Sequence, residues 1–165
     1  MTSEVRVEQL SPDDWTTWRE LRLRALADAP TAFGRTYEEE RAYPDAQWRE
    51  RALQPNLIRF VARSRDEVIG GAATFINPEE AETAYIFGMW VDEACRRRGV
   101  ARMLLDRALE GARELGGSKA SLSVTLGNDG ARDLYLSVGF TDTGVREPLR
   151  EGSDLQIAVM ELSLT

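Results

Sequence analysis

Histidine is absent from this chain of 165 residues, cysteine occurs once, at Cys95, and lysine once, at Lys119. Without histidine the commonest general base is missing, and Ser-His-Asp and Cys-His nucleophilic arrangements are excluded. A lone cysteine rules out an intrachain disulfide and leaves a zinc cluster unsupported; a reducing, cytoplasmic setting and no metal are expected. No apolar run approaches the roughly 20 residues that span a bilayer. The stretch from Met1 to Gln9 alternates charge with valine and has no signal-peptide core. Acidic residues outnumber basic ones, 28 to 21, for a net charge of −7. That balance argues against nucleic acid or an anionic membrane as a partner, so an anionic ligand must be met by local basic groups.

What is present is ordinary for a soluble globular chain: 42% hydrophobic and 30% charged residues, with a length that suits one domain, residues 1–165. Val5 to Leu10 reads as a strand. Ser11-Pro12-Asp13-Asp14 starts a helix carrying Trp15, Trp18, Leu21, Arg22, Ala25 and Leu26 at helical spacing. Tryptophans at that spacing are expected in the core rather than on a ligand platform. Tyr37 to Arg41 and Asp45 to Leu53 read as two further short helices, with Trp48 and Leu53 inward. The triplet Glu38-Glu39-Glu40 could receive a cationic substrate; the expectation is a solvated helix face, because charge runs are usually that.

Three strands follow: Leu57–Ala62, Val68–Phe75 and Thr83–Val91, the first two a hairpin around Ser64–Glu67. Gly70-Gly71 predicts a bulge or close backbone approach. Gly88 taken alone is better read as a packing glycine than as a bulge. Next comes Arg96-Arg97-Arg98-Gly99-Val100-Ala101-Arg102, opening a helix with Val100, Met103, Leu104, Ala108, Ala112 and Leu115 on its apolar side. Free N–H groups at a helix start, a glycine for close approach and local arginines make an anion site. A Walker loop is excluded because Gly116-Gly117-Ser118-Lys119 lies at the wrong end of this helix. A dinucleotide fingerprint fails for want of its third glycine. Ala120–Val124 is a strand parallel to Thr83–Val91, Asn128 caps a helix from Ala131 to Val138, Gly139 ends it, and Phe140 begins the next strand.

The residues from Tyr85 to Phe140 carry a resemblance. Arg-x-x-Gly-x-Ala after a strand ending in valine, then Asn-x-x-Ala-x-x-x-Tyr-x-x-x-Gly-Phe, resembles the GNAT superfamily of acyl-CoA-dependent N-acetyltransferases. Pro30 to Arg51 resembles the substrate-side helices of its small bacterial members. The resemblance implies an α/β (α+β) fold with a mixed, mostly antiparallel sheet, splayed central strands and flanking helices. It implies acetyl-CoA as cosubstrate and direct acetyl transfer to a primary amine in a ternary complex, the acceptor unidentified. The alternative is a non-catalytic acyl-CoA-binding module.

Carried over by position, Met89, Trp90 and Val91 offer backbone groups to the pantetheine arm. Arg97, Arg98, Gly99, Val100, Ala101 and Arg102 cradle the pyrophosphate, with Arg96 at the motif's Gln/Arg position. Asn128 bonds the pantetheine, and Tyr135 gives a proton to the departing thiolate; its bland alternative is a core aromatic. Where some members carry a glutamate base, Tyr85 stands here, and an ordinary tyrosine is a poor base. Glu82, Glu38, Glu39, Glu40 or water remain as alternatives. Cys95 is expected to be a spectator thiol. A homodimer is compatible with the general frequency of dimers.

Overall fold

A computed structural model describes residues 4–165; Met1 to Ser3 of the stretch read above for a signal peptide lie outside them. The order is β1 (Val5–Gln9), α1 (Trp15–Asp28), α2 (Tyr37–Arg41), α3 (Asp45–Ala52), β2 (Leu57–Ser64), β3 (Glu67–Ile76), β4 (Thr83–Val91), α4 (Val100–Glu114), β5 (Lys119–Thr125), α5 (Asp129–Val138), β6 (Thr141–Pro148) and β7 (Gln156–Ser163). The strands form one sheet ordered β1-β2-β3-β4-β5-β7-β6, with β4 and β5 the parallel pair. The mixed, mostly antiparallel sheet with flanking helices is thus present. The strand expected to begin at Phe140 is β6, from Thr141, and β7 lies beyond the stretch read above, although Gln156–Ser163 alternates as a strand should.

The feature that positions the site is a short ladder. Strands β4 and β5 pair only through Thr83 with Lys119, Ala84 with Ala120, and Tyr85 with Ser121. Beyond that, β5 keeps β7 as its partner and β4 keeps β3, so the two strands part. A bulge accompanies the parting. The β3–β4 register shifts between Gly71 and Ala73, and Gly88 opposite takes φ +68, a left-handed conformation that favours glycine. The Trp18 ring sits 3.3 Å from where a Cβ would stand at Gly88. Gly88 is therefore more than the packing glycine expected from the residue alone.

Each face of the sheet has its own core. On one, α4 buries Val100, Leu104, Leu105, Ala108, Leu109 and Ala112 against Phe60, Ala72, Ile86 and Leu122. Full burial of leucines such as Leu104 and Leu105 is worth roughly 2 kcal/mol each. Thr74 fastens the same helix by donating to the Ala108 carbonyl at 2.8 Å. On the other face, Trp18, Leu21, Leu26, Phe33 and Trp48 pack on Val61, Ala73 and Trp90.

Two expected core residues are not inside: Met103 and Leu53 are 38% and 69% exposed. Met103 falls outside the arc set by residues 100, 104, 105, 108 and 109, and Leu53 stands at the C-cap of α3, where the chain leaves the core.

The acidic triplet also divides. Glu38 is exposed, with a 3.8 Å ion pair to Arg41. Glu39 accepts from the Thr36 hydroxyl at 3.2 Å in an N-terminal cap. Glu40 is buried, its carboxylate facing the Arg22 guanidinium at 2.9 to 3.2 Å. The expected solvated face thus fails at Glu40, because helical rotation brings the third acid of the run under α1.

Candidate active site

The basic segment becomes a tight turn into α4. Arg97 at φ +66 and Gly99 at φ +80 are left-handed, and Gly99 is the N-cap of the helix. Such turns aim successive N–H groups the same way, and the first N–H groups of α4 have no intrahelical acceptors. Met103 N–H makes an early helix bond, to the Gly99 carbonyl at 3.1 Å. Val100 is buried and Ala101 half-buried, which anchors the turn while leaving its backbone at the surface. Arg97 and Arg98 are exposed and form no ion pair among the described residues, whereas Arg102 pairs along the helix with Asp106 at 3.0 Å. The turn has the geometry that suits an anion, with two uncommitted cations beside it.

Arg96 faces elsewhere. Its Nε donates to the Val91 carbonyl at 3.0 Å, and its Nη2 pairs with Asp28 at the end of α1. Asp28 also accepts from Trp90 Nε1 at 2.9 Å. The Trp90 bond, then the Arg96 pair, hold the Asp28 carboxyl below its ordinary range against the opposing effect of burial. One turn earlier, Arg24 pairs with Asp92 at 2.7 Å and donates to the Val68 carbonyl at 2.8 Å. So α1 braces the end of β4 and the turn. The Arg96 and Trp90 side chains belong to that brace, and the Val91 carbonyl is already occupied.

Across the opening, Asn128 N-caps α5, its Oδ1 accepting from Ala131 N–H at 3.4 Å. Its amide donors are at the surface. Tyr135 is buried in the same apolar cluster as Val91, Val100, Leu122 and Phe140, to which Met89 and Cys95 are marginal. Its ring meets Phe140 edge-on at 6.0 Å. Burial pushes its phenol up to about 12, so it stays protonated at any physiological pH. A buried phenol with no protein acceptor for its hydroxyl among the described residues is a proton or hydrogen-bond donor in waiting.

Near the branch point, Tyr85 is partly exposed and donates to Glu80 at 2.9 Å. That bond, followed by burial and the charges of Glu80 and Glu161, raises its pKa, which makes an ionised Tyr85 base still less suitable. Glu82 precedes the three paired residues at the closed end of the opening, with its carbonyl bound by Ser118 and Lys119 N–H. Glu39 and Glu40 are committed to a cap and an ion pair.

A family model described as the Acetyltransferase (GNAT) family matches residues 15–140. The chain belongs to the acetyltransferase (GNAT) family. It is 32% identical over 128 residues to mycothiol acetyltransferase of Beutenbergia cavernae, covering 78% of this chain but only 41% of that protein's length. It is 24% identical over 148 residues to an uncharacterised N-acetyltransferase of Bacillus subtilis, covering 85% of this chain and 94% of that one. Among solved structures, YncA of Salmonella typhimurium, determined with acetyl-CoA, superposes with a TM-score of 0.79 at 21% identity, over 99% of this chain and 95% of that one. That likeness is one of fold, and it includes the seven-stranded sheet described above.

In this member of the family, several residues that shape the site carry no local sequence signal. Asp28 lies 68 residues from Arg96 and 62 from Trp90, and nothing in its surroundings marks it as their partner. Thr125 donates to the Thr31 carbonyl at 2.7 Å, and Arg150 donates to the carbonyls of Pro30, Phe33 and Gly34, so the α1–α2 loop is tied to the end of β5 and to the β6–β7 connection. A search for motifs has no handle on either.

Gly99 offers a direct test of the turn. No atom lies within 4 Å of a Cβ added there, so only its φ opposes substitution. A β-branched residue in that conformation costs about 1–2 kcal/mol, and the turn relaxes to avoid it. Gly99→Val is expected to weaken acetyl-CoA binding about ten-fold in calorimetric titration.

Proposed function

We propose that this chain transfers the acetyl group of acetyl-CoA to a primary amine, with both substrates bound together. The observation that carries the reading is the parting of β4 from β5 after Tyr85, with the anion turn at one end and a protonated Tyr135 on the facing side. The residues suit the donor. An unladdered β4 edge can pair with an extended amide-bearing arm as a strand would, and the turn offers free N–H groups and Arg97 and Arg98 to a pyrophosphate. Acetyl-CoA, when bound, supplies the acetyl group as an activated thioester.

In this reading a backbone N–H of Met89–Val91 polarises the acyl carbonyl. Asn128 binds the pantetheine through its amide. Arg97 to Arg102 hold the pyrophosphate, mainly by backbone and by the two free guanidinium groups, while Arg96 fixes the turn. Tyr135 donates to the departing sulfur. Positioning both reactants supplies much of the rate. The domain is residues 1–165, the setting the cytoplasm, and a homodimer its assembly, the last by general frequency alone.

The proton route runs through the pair at the branch point. Tyr85 Oη accepts the ammonium proton of the acceptor as its own proton passes to the Glu80 carboxylate at Oε2, so no tyrosinate has to form. This pairing argues against the non-catalytic alternative, which rested on the missing carboxylate at residue 85. Tyr85→Phe breaks this proton route. Its kcat at neutral pH is expected to fall about ten-fold or more, with activity recovering as rising pH deprotonates the amine in solution. A pH–rate profile checks it; an unchanged acidic limb contradicts it.

The overall reading is tested by free-thiol release from acetyl-CoA against a panel of polyamines, amino acids, aminoglycoside-type amines and peptide N-termini. Amine-dependent release supports it. Binding of acetyl-CoA with no release from any amine favours the binding-module alternative.

A further inference from the structure

A cavity of about 200 Å³ lies between the start of α1, the end of α3 and the first half of β2, and its lining contains no residue of β4, β5 or the anion turn. Trp15, Trp18 and Trp48 supply flat apolar walls, Leu57 the floor, and Arg59 and Asp14 are the charged groups. Arg59 is the unusual one. It projects from the middle of β2 with its guanidinium 5.3 Å from the Trp18 ring, and Nη1 donates to the Arg51 carbonyl at 3.1 Å. Its Nε is buried without a partner. Burial, then the charges of Arg51 and Arg22, lower its pKa to about 10.

Cations and acids both crowd this neighbourhood, and the one carboxylate in the cavity lining is already engaged. Arg19 and Arg49 flank the Trp15 ring, at 5.1 and 4.8 Å, and Arg51 stacks on Tyr43 at 4.5 Å. Glu40 is committed to Arg22, and Asp45 to Arg19. Asp14, the carboxylate in the lining, is turned onto the Ser11 N–H and hydroxyl at 2.9 and 3.1 Å. Arg49, Arg51 and Arg59 form no ion pair among the described residues. In a protein of net charge −7, an uncompensated, half-desolvated guanidinium is a conspicuous cost.

We propose that this cavity binds a small organic carboxylate with a flat apolar body, at a site separate from that of acyl transfer. The carboxylate takes the edge of Arg59 that Nη1 does not use, reached by rotation about the terminal side-chain bonds. It thereby supplies the acceptor that Nε lacks and a counter-charge for the Arg59 guanidinium. The planar body stacks among the tryptophans. Because the Trp18 ring also rests on Gly88, an occupant touches the far side of a ring that supports the β4 bulge.

The test is calorimetric titration of the intact protein with benzoate, its neutral isostere benzamide, and inorganic phosphate, and it requires no turnover. Benzoate is expected to bind in the millimolar range or tighter, benzamide about ten-fold more weakly, and phosphate without measurable heat. Arg59→Met is expected to lose the benzoate heat, retain acetyl-CoA affinity and melt no lower than the parent, since it removes an unpaired buried charge. Trp15→Ala, at the partly exposed wall, is expected to weaken benzoate without abolishing it. Equal binding of benzoate and benzamide, no benzoate binding to the parent, or full benzoate affinity in Arg59→Met each overturns the proposal. A lowered melting temperature of Arg59→Met with no benzoate binding to the parent shows a purely structural arginine. Thiol-release activity can fail or succeed without altering any of these outcomes.

Discussion

Tyr135→Phe is expected to lower kcat about 100-fold while leaving the acetyl-CoA Kd unchanged. The ring is buried against Phe140 and in the cluster that includes Val91 and Leu122, so phenylalanine keeps the packing and removes only the hydroxyl. The size of the effect follows from the phenol's environment. Burial holds it at about 12, well above an ordinary thiol near 8.5, so full proton transfer to a departing thiolate is uphill. The hydroxyl therefore serves chiefly as a preorganised hydrogen-bond donor to charge developing on sulfur. This sets the expectation at the lower end of the general-acid range, about 10² rather than 10⁴. It also fixes a pH behaviour: since the phenol remains neutral past pH 10, no basic limb below that pH arises from Tyr135. Steady-state kinetics beside calorimetry checks both. A loss of less than about three-fold removes Tyr135 from the reaction.

The largest expected effect on stability falls on Glu40→Ala. The Glu40 carboxylate is 2% exposed and its Arg22 partner 14%, with three contacts between 2.9 and 3.2 Å, and the guanidinium also lies 4.8 Å from the Phe33 ring. Removing one partner leaves a buried arginine without its counter-ion, a loss of about 3–5 kcal/mol. For a domain of this size each kcal/mol moves Tm by roughly 2–4 °C, so the midpoint is expected to fall on the order of 10 °C. The double substitution Arg22→Met with Glu40→Leu removes both charges and is expected to lie within about 1–2 kcal/mol of the parent. Urea unfolding of the three proteins measures this. A single-variant loss below about 1 kcal/mol shows that the pair acts as a surface bridge.

How much was legible in the sequence follows from how local each feature is. The turn at Arg96–Ala101 and the cap at Asn128 are written in short motifs, because a left-handed N-cap glycine and a capping amide act within a few residues. The three-strand order and the parallel crossover follow from periodicity in the same way. Glu40 was not legible. Three glutamates in a row are alike until α1 packs above them, and Arg22 lies 18 residues away. Gly88 was only half legible: the glycine is visible, while its bulge depends on register with β3 and on the Trp18 ring. Tyr85 showed that a direct carboxylate is missing, but the Glu80 that stands behind it belongs to the preceding turn and becomes a partner only when β4 has formed. The start of β6 is legible in the Gly139-Phe140 boundary, and Gln156–Ser163 in plain alternation.

The most direct test of the account is a crystal structure with coenzyme A bound, read for the position of its sulfur. The pantetheine arm is expected along β4 beyond Tyr85, the pyrophosphate on the N–H groups of the Arg97–Arg102 turn, and the sulfur within hydrogen-bonding distance of Tyr135 Oη. Coenzyme A seated outside the opening between β4 and β5, or a sulfur beyond the reach of Tyr135, would contradict it.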